Sequence, residues 1–287
     1  MTTYGTPPGA LPERGRLARL SWIAVLVVGV AAYLLVLRTL VGTENLNFVP
    51  SLLLLGSVVV PATVLTFAAT GGRRVVVSAG LLALVAIIGG IIGTVAAGTL
   101  EYDTLRRLGG LPMFFVGLIE ESAKLVVPLL VVLFARRYRN PAAGVVVGVA
   151  SGMGFATLET MGYGFNALLQ SRSLAAVDST LLLRALLSPA GHVAWTGVTA
   201  AALFAIPASA ATGQAGKAFF RFVGTFLAAV LLHTAWDGSN NVVVHVLVAV
   251  ISVGGLLVVI HRTRRTPPSA AHPYGQPVSV ASAPQGR

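Results

Sequence analysis

Along most of the chain, apolar residues are not interleaved with polar ones. They run on in blocks of roughly 20 or more, the length a helix needs to cross the ~30 Å hydrocarbon core of a bilayer. Such blocks lie at about 20–42, 49–71, 75–99, 111–135, 142–168, 182–206, 218–237 and 242–260. The pattern predicts an all-α fold, a polytopic transmembrane helix bundle of about eight spans. The first block is long and lacks a small-residue cleavage site at its end, so it reads as a span and not as a signal peptide. On this reading residues 1–19 are a cytoplasmic tail, 20–260 the transmembrane domain, and 261–287 a disordered cytoplasmic tail. The tail sequences, with "TPPG" at one end and "TPPSAAHPYGQPVSVASAPQGR" at the other, cannot form a core.

Basic residues sort by side. Arg14, Arg16 and Arg19 precede the first block, "GGRR" follows the second, "RRYRN" the fourth, Lys217 and Arg221 the sixth, and "HRTRR" the eighth. The alternate connections carry Glu44, Glu101, Asp103, Asp178 and Asp237 with Arg106, Arg107, Arg172 and Arg184. By the positive-inside rule, both termini face the cytoplasm. The formal charge of +11 is therefore mostly an orientation signal, and no nucleic-acid partner is implied. Composition agrees with a multi-pass cell-membrane protein in contact with the lipid bilayer: 55% of residues are hydrophobic, 10% are charged, and mean hydropathy is +0.85. The chain has no Cys, which excludes disulfides, thiolate metal sites and cysteine nucleophiles. Small residues recur every fourth position at Gly144, Gly148 and Gly152, and at Gly89, Gly93 and Ala97, which lets helix backbones approach closely. Nothing in the pattern fixes an oligomeric state.

One block is interrupted. "GLIEESAKLVVPLL", residues 117–130, places Glu120, Glu121 and Lys124 inside an otherwise apolar span. A charged side chain near the bilayer centre costs at least about 2.5–3.5 kcal/mol, so the group needs partners or a polar cavity. Lys124 follows Glu120 by four residues and Glu121 by three, so it can neutralise one carboxylate and leave the other free. Three later blocks supply polar groups: Phe155 and Glu159 in "GFATLET", His192 in "GHVAWTG", and His233 with Asp237 in "LLHTAWDG". From the block edges, Glu120, Glu159 and His192 sit roughly 13–15 Å below the outer edge, with His233 shallower. Two His and one carboxylate from separate helices are a donor set suited to zinc, with an open position for water, and a further carboxylate can then act as general base. Trp195 and Trp236 read as packing, His245 as structural and His261 as part of the basic flank. Asp237 either orients His233 or caps its helix end.

The motifs "EESAK" (Glu120 to Lys124), "FATLE" (Phe155 to Glu159), the glycine-preceded His192, and "HTAWD" (His233 to Asp237) resemble, in order, those of the PrsW family of intramembrane metalloproteases. That family is related to the CAAX prenyl endopeptidase and bacteriocin-processing membrane proteases. The resemblance spans about residues 111–240. It implies a metal-dependent endopeptidase that cleaves a membrane-anchored protein substrate near the extracytoplasmic face, an anti-sigma factor in the best-known member. The expected roles are Glu120 as base, Glu121 paired with Lys124, Glu159, His192 and His233 as ligands of a divalent metal, zinc by preference, and Asp237 supporting His233. The two adjacent glutamates point about 100° apart, so either can be the base. Two rival readings exist: an ion- or proton-coupled transporter, which needs a polar path to both faces, and a non-catalytic immunity or scaffold relative.

Overall fold

The computed structural model describes residues 16–70, 77–109 and 112–265. The described residues are helical throughout their ordered elements, with no strand among them. A short α1 (Arg16–Arg19) leads into α2 (Ser21–Thr43), α3 (Val49–Thr70), α4 (Ala79–Leu108), α5 (Met113–Phe134) and α6 (Pro141–Ser171). These are followed by α7 (Leu174–Leu187), α8 (His192–Ala208), α9 (Ala215–Asp237) and α10 (Val242–Arg265). Among the described residues, seven stretches are long and apolar enough to cross a membrane, α7 and α8 counting as one. The remaining long helix, α5, has 22 residues but carries Glu120, Glu121 and Lys124. Large apolar side chains on the outer faces, such as Val28 and Leu35 of α2 and Val250 and Ile251 of α10, are exposed as lipid-facing residues must be.

Helix ends follow local chemistry. Ser78, Asn140 and Ser173 cap α4, α6 and α7 through side chains that accept from backbone N–H groups, and Pro141 opens α6 where its missing N–H does no harm. The structure departs from the sequence expectation in three places. The third span extends to Leu108, so Glu101 and Asp103 belong to α4 and not to a loop. The eighth runs to Arg265, so residues 261–265, expected in the C-terminal tail, are helical, and the rest of that tail lies outside the described residues. The sixth is not one helix: α7 stops at Leu187, a 3₁₀ turn occupies Ser188–Ala190, and α8 begins at His192. Pro189 and Gly191 explain the break, since one lacks an N–H for the α ladder and the other adopts φ −118° and ψ −126°.

α6 is the axis of the bundle. It packs against α3, α4, α5, α7, α8 and α10, and 78% of its span is buried against 6% for α2. The expected small-residue stripes lie at these crossings. A Cβ added to Gly144 would meet Ala200 O at 2.7 Å, one on Gly148 or Gly152 would meet Thr196 O or His192 O of α8, and one on Gly90, beside the expected Gly89, would meet the backbone of Gly154 at 2.7 Å. Such backbone contact is open only to glycine. Within α5, Pro128 removes the N–H that would bond to the carbonyl of Lys124, and Ser151 of α6 donates to that carbonyl instead at 2.7 Å. The freed carbonyl thus becomes the peg that sets α5 against α6.

Trp22 at the start of α2 meets Phe67 near the end of α3, and Arg264 of α10 donates to Phe67 O at 2.6 Å. Both ends of the described chain therefore lie at one end of the bundle. The turn between α4 and α5 lies at the other.

Candidate active site

The four polar motifs meet in the half of the bundle nearer that turn. Glu120 and Glu121 come from α5, Glu159 from α6, His192 from the first turn of α8, and His233 and Asp237 from the last turns of α9. Gly117, one turn before Glu121, lets α5 approach α9 closely: a Cβ there would meet Val230 O at 3.0 Å and His233 Cβ at 3.4 Å. The broken span delivers His192 at a helix start, where unpaired backbone N–H groups make a surrounding favourable to carboxylates.

Lys124 is fully buried and holds both glutamates, with Nζ 2.7 Å from Glu121 Oε1 and 3.2 Å from Glu120 Oε2. It also donates to His192 Nδ1 at 2.7 Å and lies 4.4 Å above the Phe155 ring. The sequence expected Lys124 to neutralise one carboxylate and free the other; the structure shares it between both. The two glutamates still differ. Glu121 Oε1 also accepts from His233 Nδ1 at 3.0 Å. Glu120 Oε2 faces His233 Nε2 at 3.6 Å and His192 Nδ1 at 3.9 Å.

Each histidine has one ring nitrogen fixed by a carboxylate of a neighbouring helix. His192 Nε2 donates to Glu159 Oε2 at 2.9 Å, as His233 Nδ1 does to Glu121. The opposite nitrogens, His192 Nδ1 and His233 Nε2, are left facing Glu120, and one ligand atom from each of the three residues falls within a 4.8 Å group. The 3.6 and 3.9 Å separations come near the ~3.4 Å edge of a tetrahedron with metal–ligand distances of about 2.1 Å. His233 Nε2 further meets Asp237 Oδ2 at 2.9 Å. With its other proton given to Glu121, this ring face meets two carboxylates, an arrangement that a cation satisfies. The donors therefore fit a divalent metal, and the converging set contains Glu120 where the sequence placed Glu159.

Glu159 is held elsewhere. Arg184 of α7 donates to Glu159 Oε2 at 2.6 Å and to Thr160 Oγ1 at 3.2 Å, and its guanidinium lies 3.9 Å from the Tyr163 ring centroid. By charge alone Arg184 counts as a loop residue, yet a lone Arg in the apolar run "LLLRALL" is itself a signal that it needs a buried partner. Trp195 stacks on His233 with centroids 5.0 Å apart while its Nε1 donates to Ser252 at 2.8 Å, so this packing residue also holds a site ring. Trp236 and His245 form a separate pair, His245 donating to Trp236 O at 3.0 Å. Exposure rises from the fully buried Lys124 to Asp237, whose side chain is 38% exposed. The site thus opens past the end of α9.

No curated protein and no solved structure matches the chain significantly. Residues 60–261, from the middle of α3 to near the end of α10, match the family model described as PrsW family intramembrane metalloprotease. The match takes in α5, α6, α8 and α9 with every motif residue that the fold brings together, and it makes the chain a multi-pass membrane peptide hydrolase. The chain belongs to the PrsW family of intramembrane metalloproteases.

Proposed function

We propose that this protease cleaves a membrane-anchored protein, of the anti-sigma-factor type, close to the extracytoplasmic face, with zinc held by Glu120, His192 and His233. The observation that carries the assignment is the paired geometry of the histidines: each gives one N–H to a carboxylate and turns its other nitrogen toward Glu120. When bound, the metal supplies Lewis-acid activation of a water molecule. Glu121 and Glu159 select the tautomers and aim the rings. Lys124 and Arg184 offset the carboxylate charge. Holding an ion through His192 Nδ1 requires Lys124 to give up that bond and keep its two glutamates. Asp237, the most open of these carboxylates and adjacent to His233 Nε2, would serve as the proton acceptor. In this reading Glu120, the base expected from the sequence, is a ligand instead; the support is that its Oε2 faces both histidines.

The eight-span topology, with both termini cytoplasmic, belongs to this proposal. It rests on the basic flanks and on the meeting of α2, α3 and α10 at one end of the bundle. It sets the site in the extracytoplasmic half. The donors all lie in the half of the bundle nearer the turn between α4 and α5, which favours a one-sided pocket over a transport path.

The test compares metal content and peptidase activity in Glu120→Gln and Asp237→Asn proteins. Glu120→Gln should lose both. Asp237→Asn should keep the metal and lose activity by at least about 10²-fold. If Glu120→Gln instead keeps its metal and is dead while Asp237→Asn stays active, Glu120 is the base and Glu159 completes the ligand set.

A further inference from the structure

One carboxylate beside the site has no role in that account. Glu101 sits seven residues before the end of α4 at Leu108, and Glu120 seven residues after the start of α5 at Met113. With about 1.5 Å rise per residue in two antiparallel helices, both lie about 10 Å from the connecting turn, at the same depth. Glu101 continues the face of α4 that carries Gly93 and Ala97, each four residues before the next. A Cβ on Gly93 would meet the Phe155 ring at 2.9 Å, and Ala97 packs in one cluster with Ala123 and Phe155. That face looks toward α5 and α6, and Glu101 lies within the field of Glu120, His233, Glu159 and Lys124.

Its Oε1 is buried and has no hydrogen-bond partner among the described residues. Such an oxygen is costly, more so if charged, and in native structures calls for an explanation. Among the described residues no cation relieves it. Lys124 is held by Glu120, Glu121 and His192, and Arg184 by Glu159 and Thr160, while Arg106 lies over Tyr102. Nor does Glu101 join the converging metal donors. When ionised, the carboxylate is acceptor-only and its missing partner is a donor, one of positive charge satisfying it best.

We propose that Glu101 is a specificity residue that pairs with a Lys or Arg side chain of the substrate within a few residues of the scissile bond. The inference rests on the protease reading above. Its place on α4, across from Glu120, sets that basic side chain on the wall opposite α8 and α9 while the peptide bond reaches the converging donors.

The experiment labels the new N-termini formed in a membrane fraction incubated with the full-length protein, in wild-type form and as Glu101→Gln, Glu101→Lys and Glu120→Gln. The expected cuts depend on Glu120 and fall in segments that carry Lys or Arg near the bond. Peptides made from those segments should lose at least about tenfold in kcat/KM with Glu101→Gln, and Glu101→Lys should favour versions bearing Glu at the basic position. If Glu101→Lys does not fold, the Glu101→Gln comparison between Lys- and Gln-bearing peptides decides alone. Cuts that depend on Glu120 but show no basic enrichment, or an equal loss on both peptides, would overturn the role of Glu101 and leave the protease reading standing. A wild-type protein that makes no Glu120-dependent cut would overturn the protease reading itself.

Discussion

Glu120 and Glu121 share a helix turn and a lysine but not an environment. Glu121 is enclosed by Lys124 and His233 Nδ1, with a side chain only 2% exposed. Replacing it with Gln leaves Lys124 underpaired and should cost about 3–5 kcal/mol, seen as lower abundance and a lower melting temperature in detergent. Glu120 faces the donor group, and Lys124 keeps Glu121 when it is changed. Glu120→Gln should therefore stay folded, with its melting temperature close to wild type, while activity is lost. On the proposed reading Glu159 acts through the ring it holds. Glu159→Gln should weaken metal affinity by about 10–100-fold, measured by competition with a chelating dye, without removing a ligand. An unchanged affinity would show that Glu159 does not orient His192.

At the scale of elements, the break between α7 and α8 and the crossings of α6 determine where the side chains arrive. α7 is anchored by Val177 and Leu181 against α3 and by a hydrogen bond from Tyr33 of α2 to Asp178. From there Arg184 reaches Glu159 on α6. The start of α8 is fixed by its contact with Gly152, where any larger side chain would strike the carbonyl of His192. Gly152→Leu should thus destabilise the bundle by at least about 1–3 kcal/mol through overpacking and displace His192, lowering metal occupancy along with melting temperature. Ser151→Ala leaves the Lys124 carbonyl without its donor beside Pro128, a loss of about 1 kcal/mol that should raise hydrogen exchange in the middle of α5.

For the whole molecule, the expected orientation is tested by a reporter joined after Arg265, which should be active only in the cytoplasm; activity outside would reverse the bundle and put the site in the wrong leaflet. The purified protein should carry up to about one divalent ion per chain, and the His192→Ala, His233→Ala double variant none, by elemental analysis. Equal metal in the two would remove the ion from the mechanism.

The apolar blocks, the basic flanks and the four polar motifs were legible in the sequence because the bilayer imposes length, composition and charge rules that act residue by residue. The cost of burying Glu120, Glu121, Glu159, His192 and His233 marked them for the same reason. What the sequence did not carry is direction. Whether Glu159 or Glu120 faces both histidines depends on how α5, α6, α8 and α9 are rotated against one another, and that is set by backbone contacts at Gly117, Gly148 and Gly152 and by the Ser151 peg. The apolar run at 182–206 concealed a helix break, because hydropathy counts side chains while the break is a matter of backbone hydrogen bonds around Pro189 and Gly191. Glu101 and Arg184 looked like loop charges for a related reason: α4 and α7 carry them inward by helical continuation, and only the packed bundle shows which face of each helix meets the site.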